Sequence, residues 1–103
     1  MAFLVTNIID ENTFQVTPWK LGEQGRGTKV RIWGTTNPND PNYKLIAINR
    51  LRTLIENKEV DLKAPSRLEK DSSSNELILV CRVVLNNVDI INYFPEMAQQ
   101  KQA

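Results

Sequence analysis

Residues 28–38 read T-K-V-R-I-W-G-T-T-N-P, and this stretch decides how the rest of the chain is arranged around it. Val30 and Ile32 alternate with polar and aromatic residues, which is the period of two expected of a strand with one apolar face. The other face carries two cations and an indole, from Lys29, Arg31 and Trp33. The glycine, threonines, asparagine and proline that follow predict a polar loop, a common place for a site held on a rigid scaffold.

Two further strands are predicted upstream of this one. Residues 3–9 form an interrupted apolar run, residues 10–12 (D-E-N) supply turn residues, and residues 13–17 resume alternation, so we expect a hairpin. Pro18 is expected to close the second strand, with a glycine-rich loop over residues 19–27. The glycines lack the Lys-Ser or Lys-Thr ending of a phosphate-binding loop, and they indicate hairpin geometry instead.

A helix is predicted downstream of residues 28–38. Asp40 followed by Pro41 is typical of a helix N-cap with proline in the first turn. Apolar residues then recur at spacings of three and four and predict one buried stripe: Leu45, Ile48, Leu51, Leu54 and Ile55. The helix is expected to end at Asn57 or Lys58, before a short strand over residues 59–63.

The last third of the chain alternates between polar and apolar segments. Residues 64–75 combine a proline, mixed charges and three serines, and predict an exposed connection. Residues 76–85 (E-L-I-L-V-C-R-V-V-L) are nearly all apolar and predict the most buried strand. Residues 86–87 (N-N) predict a turn and residues 88–91 a short return strand or a helical turn. Y-F-P at residues 93–95 is expected to pin the chain end.

Three strands, a helix and two or three more strands is the plan of a five-stranded OB-fold barrel with its helix inserted after strand 3. We therefore predict an all-β domain with one helix over residues 1–96 and a frayed tail over residues 97–103. The hydrophobic pattern alone is also consistent with other small α+β folds.

Composition excludes several kinds of site. The 103 residues suffice for one domain, and they include one cysteine and no histidine. Zinc sites and Ser-His or Cys-His hydrolases are thereby disfavoured. Cys81 lies in an apolar run, which favours a buried, inert thiol in a reducing compartment. The N-terminus lacks a basic leader and no apolar run approaches 18 residues, so we expect a soluble, cytoplasmic protein with no membrane partner.

The charge is unevenly distributed although the formal net charge is only +1. Residues 20–52 contain seven Lys and Arg against two acidic residues, whereas residues 56–96 contain eight acidic residues against five Lys and Arg. This asymmetry is consistent either with ordinary solvated faces or with one positive face that attracts an anionic partner.

Four segments together resemble the staphylococcal nuclease-like (thermonuclease) family over nearly the whole chain. They are I-I-D-E-N-T-F-Q-V (residues 8–16), V-R-I-W-G-T-T-N-P (residues 30–38), R-L-R-T-L-I-E-N-K-E-V-D-L (residues 50–62), and the long loop leading into E-L-I-L-V-C-R-V (residues 76–83). The resemblance implies the same barrel, with the helix after the third strand.

The resemblance also implies where a nuclease site would lie. In that family, carboxylates of the first hairpin turn and of the loop after the third strand hold calcium, a glutamate activates water, and two arginines neutralise the phosphate. Arg31 matches the strand arginine. The other four positions are degenerate, and they fall on Asn12, Thr36, Asn39 and Glu76.

Four such losses predict a protein without catalytic, metal or cofactor sites, because removing one transition-state donor typically costs about 2.7–4 kcal/mol. We expect a binding module for single-stranded DNA or RNA, with Trp19 as an exposed loop aromatic. The candidate binding residues are Arg31, Lys29, Trp33, Trp19, Lys20 and Arg26. Alternatively, Arg31 covers an aromatic ring or pairs with an acid. A protein-interaction or self-assembly module and a residual calcium-dependent phosphodiesterase are the other hypotheses.

Overall fold

The strands and helices follow one another in the predicted order within residues 2–35, 41–71 and 73–94, the part of the chain that the computed structural model describes. Their bounds are β1 (Ala2–Ile8), β2 (Thr13–Leu21), β3 (Gly25–Ile32), α1 (Pro41–Ile55), β4 (Glu59–Lys70), β5 (Leu77–Leu85), β6 (Val88–Asp89) and a 3₁₀ helix (Ile90–Tyr93).

The first five strands form a closed barrel. Along the sheet the order is β3-β2-β1-β4-β5-β6, with every neighbouring pair antiparallel. A parallel pairing of β3 with β5, from Lys29 opposite Ile78 to Ile32 opposite Cys81, joins the two sides. The single helix follows β3, and the predicted OB-like barrel is therefore confirmed.

Alternating residues of the strands fill the barrel interior. Phe14, Val16, Val30 and Ile32 are buried, as their period of two predicts. In β5 the four consecutive residues from Ile78 to Cys81 are all buried, so this strand is the apolar centre that the sequence predicted. Burial also raises the pKa of the Cys81 thiol to about 12, and the predicted inert thiol is consistent with this.

Helix α1 packs on the barrel through a stripe that differs from the predicted one. Its buried residues are Ala47, Leu51 and Ile55, whereas Leu45 is 63% exposed and the prediction for it was wrong. Ala47, Leu51 and Ile55 lie four residues apart and form one row along the helix. A step of three residues turns the side chain by about 60° away from its starting direction. Leu45 lies two such steps before Leu51 and therefore falls outside the buried row. No helix within the described ranges is long and apolar enough to cross a membrane.

The helix ends close to the predicted residue. Asn57 has the left-handed φ of 62° that is common just after a helix. The amide of Lys58 then donates to the carbonyl of Ile55 at 2.9 Å, which satisfies one terminal carbonyl. The predicted N-cap, Asp40, lies outside the described residues.

The β2–β3 hairpin corrects the loop predicted over residues 19–27. β2 continues through Pro18, which lies in a register shift between Gln15 and Trp19, and only residues 22–24 form the turn. Trp19 is therefore a strand residue, 2% exposed. Gly27 makes room for its ring, since a Cβ there would lie 3.2 Å from the indole and 3.3 Å from the Leu77 carbonyl oxygen.

The connection predicted over residues 64–75 is also mostly strand. β4 runs to Lys70, and its second half pairs with β5 from Arg67 opposite Val80 to Lys70 opposite Leu77. A register shift between Lys63 and Arg67 separates the two halves, and Ala64 within it has a φ of 49°. The prediction failed because most side chains of this half face solvent, so its composition is that of a loop.

The C-terminal elements confirm both alternatives for residues 88–91. Asn86 and Asn87 form the predicted turn with left-handed φ values of 52° and 67°. A two-residue strand and then a 3₁₀ helix follow. Phe94 is fully buried, and Arg50 donates through Nη1 to the Tyr93 carbonyl at 3.0 Å. Pro95 and the predicted tail over residues 97–103 lie outside the described residues.

Two leucines of α1 give a matched test of this packing. We expect Leu51→Ala to lower the free energy of unfolding by about 2–5 kcal/mol, because it leaves a cavity under the helix. Leu45→Ala removes the same atoms from an exposed site and should change it by less than about 0.5 kcal/mol. Urea unfolding followed by circular dichroism measures both, and equal losses would contradict the observed helix orientation.

Candidate functional site

Arg31 is held by the protein's own side chains. It lies near the end of β3, opposite Thr13 of β2, and its Nε donates to the Thr13 hydroxyl at 3.2 Å. Its Nη1 forms an ion pair with Glu69 of β4, and Glu69 also accepts from Arg67 Nε at 2.8 Å. The sequence left several alternatives open for Arg31, and in the structure this arginine pairs with an acid. The arginine that the resemblance assigns to phosphate already has a carboxylate.

Lys29 is neutralised more completely. It lies two residues before Arg31 and is only 8% exposed. Its Nζ lies 2.5 Å from Asp71 Oδ2, 3.1 Å from Glu76 Oε1 and 3.2 Å from the Ser74 hydroxyl. Glu76, one of the degenerate positions, thus stabilises a cation of the barrel instead of meeting a phosphate. Lys29 is a structural cation in this conformation.

Mutual hydrogen bonds shift the pKa values of these groups in opposite directions. The hydrogen bonds to Asp71 and Glu76 raise the pKa of Lys29. The hydrogen bond from Lys29, with help from Ser73, holds the pKa of Asp71 well below its usual range. The same lysine and Ser74 lower the pKa of Glu76. All three groups are charged together at neutral pH.

The segment between β4 and β5 is folded so that Asp71 is fixed in place. Its Oδ1 accepts from the amide and the hydroxyl of Ser73 at 2.9 and 2.7 Å. Its backbone amide donates to the Glu76 carbonyl at 2.8 Å, and its carbonyl accepts from the Asn75 amide at 2.8 Å. The carboxylate that binds Lys29 is therefore positioned by the turn itself.

The β1–β2 turn presents a neutral amide where the resemblance places a calcium ligand. Asn12 donates through Nδ2 to the Thr35 hydroxyl at 3.0 Å and accepts through Oδ1 from the Thr13 hydroxyl at 3.1 Å. Thr35 in turn donates to the Ile32 carbonyl at 2.9 Å. The Asn12 side chain therefore ties the first hairpin to the end of β3.

Two acidic residues of the same turn contact α1. Glu11 is 2% exposed, and its Oε2 makes no hydrogen bond and lies 3.9 Å from Lys44 Nζ. Burial, reinforced by Asp10, raises the pKa of Glu11. Burial alone would raise the pKa of Asp10 as well, but hydrogen bonds with Glu11 and the charge of Lys44, 3.5 Å away, lower it. Through Lys44, these carboxylates connect the β1–β2 turn to α1.

Among the described residues, the turn side chains that the resemblance assigns to calcium are engaged by other protein groups. Within the described ranges, no group of three or more acidic or cysteine residues could hold a metal, and calcium takes six to eight oxygen ligands. Asp10 is engaged by Lys44 and the Glu11 amide, and Asn12 by two threonines. Thr36 and Asn39, the other degenerate positions, lie outside the described residues.

Lys20 and Arg26 differ from the two cations inside the network. They are exposed, directly opposite each other across the β2–β3 hairpin, and neither pairs with a carboxylate in the part of the chain described. They line a groove of about 470 Å³ together with Pro18, Trp19, Gly27 and Thr28. Among the predicted binding cations, this pair is the one available to a ligand.

The two tryptophans occupy opposite environments. Trp19 was expected to be exposed and was not: its Nε1 donates to the Lys29 carbonyl at 3.0 Å inside the barrel. Trp33 follows β3, is 44% exposed, and has the Arg82 guanidinium 5.8 Å from its ring centroid. Of the two tryptophans, Trp33 is therefore the one with an exposed ring.

The sequence identified the cations of β3 but missed the acids that neutralise them. Glu69 and Asp71 lie in the stretch predicted as an exposed connection, where charged residues carry no signal of their own. Arg82 was also missed, although it is the only charged residue within the apolar β5 segment. A lone charge in such a strand has to point out of the barrel, and this would have marked it.

Comparison with protein-family models, curated proteins and solved structures gave no significant match. The fold and the geometry above define the class only as an OB-like barrel in which Lys29 and Arg31 of β3 are paired with carboxylates of β4 and of the turn before β5.

The Lys29 network predicts a specific loss of stability in acid. The pKa values of Asp71 and Glu76 are lower in the folded than in the unfolded chain, so their contribution is present above about pH 4.5 and lost as pH falls further. We expect the urea midpoint to drop between about pH 4.5 and pH 2. Asp71→Asn should be less stable at neutral pH and should show a flatter acid dependence.

Glu23→Gln is the control, because Glu23 is exposed in the β2–β3 turn and makes no ion pair among the described residues. It should follow the unsubstituted protein at every pH. A curve for Asp71→Asn parallel to that of the unsubstituted protein would show that the network is not the source of the acid sensitivity.

Proposed function

We propose that this chain is a non-catalytic OB-barrel binding module, related to the staphylococcal nuclease-like family, that binds single-stranded nucleic acid weakly through the β2–β3 hairpin. One observation carries the proposal: Lys20 and Arg26 are exposed and opposed, with no carboxylate partner within the described residues. A cytoplasmic location belongs to the proposal and is consistent with the single, buried cysteine.

The position of this pair supports nucleic acid as the ligand. OB-fold proteins bind oligonucleotides on the face of strands 2 and 3 and on the loops that flank it. Two cations opposed across a hairpin can contact neighbouring phosphates of a flexible strand, and each contact releases counterions. Lys29 and Arg31, by contrast, are occupied by the carboxylates of β4 and of the following turn. Weak rather than tight binding follows from so few available cations.

Chemistry at the degenerate site has little support. The degenerate turn position Asn12 is a neutral amide engaged with threonines, and the degenerate Glu76 is a carboxylate bound to Lys29. The retained Arg31 would have to leave Glu69 before it could neutralise a phosphate. Binding without cleavage is the use that these groups favour.

The first experiment titrates a labelled single-stranded oligonucleotide by fluorescence anisotropy at roughly 50 and 200 mM salt. We expect measurable binding at the lower salt, and the double variant Lys20→Ala/Arg26→Ala should weaken it. The slope of log affinity against log salt should fall by about 0.7 for each cation removed. The matched control, Arg52→Ala/Lys58→Ala, removes two positive charges from α1 and from the turn that follows it and should leave binding nearly unchanged.

Absence of binding at the lower salt, or equal losses in both double variants, would overturn the proposal. The second candidate function, protein interaction or self-assembly, is favoured by the adjacent exposed side chains of Leu45 and Ile46 on α1. Sedimentation of the same samples distinguishes the two, because an assembly module would form dimers or larger species without nucleic acid.

The internal neutralisation of Arg31 predicts a gain of binding. Glu69→Gln removes the carboxylate that holds the guanidinium of Arg31 and also that of Arg67, so Arg31 becomes available to a phosphate, with Arg67 beside it. We expect affinity for the oligonucleotide to rise roughly threefold to tenfold at low salt, with a steeper salt slope. Glu56→Gln, in the turn just after α1, makes the same change in net charge and should not reproduce the gain. Equal effects of the two variants would show that only net charge matters.

A further inference from the structure

A second groove lies at the other end of β3 from the hairpin cations. Trp33, Ala64, Ser66 and Arg82 line a groove of about 310 Å³, called here the Trp33–Arg82 groove. One wall is the half-exposed indole of Trp33, fixed to β5 by a 2.9 Å hydrogen bond from its amide to the Cys81 carbonyl. The backbone of this wall is thus tied to β5 of the barrel.

The register shift in β4 creates this groove. Lys63 pairs with Arg82, Arg67 pairs with Val80, and the residues between them leave the ladder. Ala64, within this segment, has a φ of 49°, a left-handed conformation that costs a non-glycine residue free energy. Bulges of this kind are frequent beside binding and active sites. Here the bulge separates β4 from β5 beside an exposed aromatic ring.

Two cations lie in or beside the groove, and they are held more loosely than Arg31. Arg82 lines the groove with its guanidinium 5.8 Å from the Trp33 ring centroid, and Lys63 is its neighbour across the ladder. Arg82 makes no hydrogen bond within the described residues, and its ion-pair partner, Asp89, stays 3.5 Å from Nε. Lys63, directly opposite Arg82, is exposed and has no ion pair in the same ranges. Like charges opposed across two strands repel each other. An anion placed between them would relieve that repulsion.

We propose that the Trp33–Arg82 groove binds a mononucleotide, with the base stacked on the Trp33 indole and the phosphate held by Arg82 and Lys63. Indole rings stack on bases of any sequence, and guanidinium groups bind phosphate through paired N–H donors. The proposal does not depend on the hairpin, because it uses other residues on other strands.

Size and lining favour a single nucleotide over a longer ligand. The volume lies at the lower end of the range of roughly 300–1,000 Å³ for small-molecule sites. One exposed ring, one small apolar residue, one hydroxyl and a guanidinium line it, which suits one planar base with one anionic group. A second exposed ring, on which an adjacent base of a strand would stack, does not line the groove in the described part of the chain.

Tryptophan fluorescence reports on the groove, because Trp19 is shielded inside the barrel and Trp33 is half-exposed. We expect AMP to quench the emission saturably, with a dissociation constant in the millimolar range or below. Adenosine, which lacks the anion, and inorganic phosphate, which lacks the ring, should each bind at least roughly tenfold more weakly. Arg82→Gln should weaken AMP binding by a similar factor and leave adenosine binding unchanged.

Arg52→Gln, an exposed cation of α1, is the matched control and should bind AMP like the unsubstituted protein. Lys63→Gln removes the second proposed phosphate contact and should also weaken AMP binding. Trp33→Leu should abolish the AMP binding measured by calorimetry. The proposal fails if AMP gives no saturable signal, if AMP and adenosine bind equally, or if only an oligonucleotide binds. An unchanged affinity in Arg82→Gln with an unchanged circular dichroism spectrum would also overturn it.

Discussion

The parallel pairing of β3 with β5 is the interaction on which the rest of the structure depends. It spans four residue pairs, from Lys29 and Ile78 to Ile32 and Cys81. Without it, β3 and β5 would each present an unpaired edge, and the apolar side chains of both would face solvent. With it, Val30 and Ile32 are enclosed with Phe14 and Val16. The closed barrel, its core and the surface on which α1 packs all depend on this pairing.

The same closure determines the electrostatics of the candidate site. It brings the end of β4 and the turn before β5 beside the polar face of β3, where Glu69 and Asp71 meet Arg31 and Lys29. A cation as buried as Lys29 must be paired, since leaving it unpaired in the protein interior is unfavourable. The pairing of Lys29 and Arg31 with these carboxylates is thus part of the folded state. The hairpin cations Lys20 and Arg26 lie outside this zone and have no carboxylate partner among the described residues.

Local patterns predicted the fold well because each pattern is set by local geometry. Alternation located β2 and β3, the continuous apolar run located β5, and proline with asparagine located the ends of α1. The errors arose where a residue was compatible with two structures. A proline ends most central strands but is tolerated at a bulge, and Pro18 lies at such an irregularity in β2. The second half of β4 is polar because its side chains face solvent, so it could not be distinguished from a loop.

The site was less predictable, because its partners are distant in sequence. The polar face of β3 was identified, yet Arg31 pairs with a residue 38 positions away and Lys29 with one 42 positions away. A single sequence carries no information about such pairs, since they depend on how the barrel closes. The hydrogen bond between Asn12 and Thr35 also joins residues that are distant in sequence, because it forms where the first hairpin meets the end of β3.

The burial of Cys81 makes the protein well suited to site-specific labelling. Cys81 is the only cysteine of the chain, it is fully buried in β5, and its pKa of about 12 leaves almost no thiolate at neutral pH. Since the thiolate is the reacting species, maleimide or spin-label reagents would pass over the native chain. A cysteine introduced at any exposed position would then be the sole reactive thiol, without prior removal of the native one. Distances and environments around both proposed sites thereby become accessible to spectroscopy in an otherwise unaltered barrel.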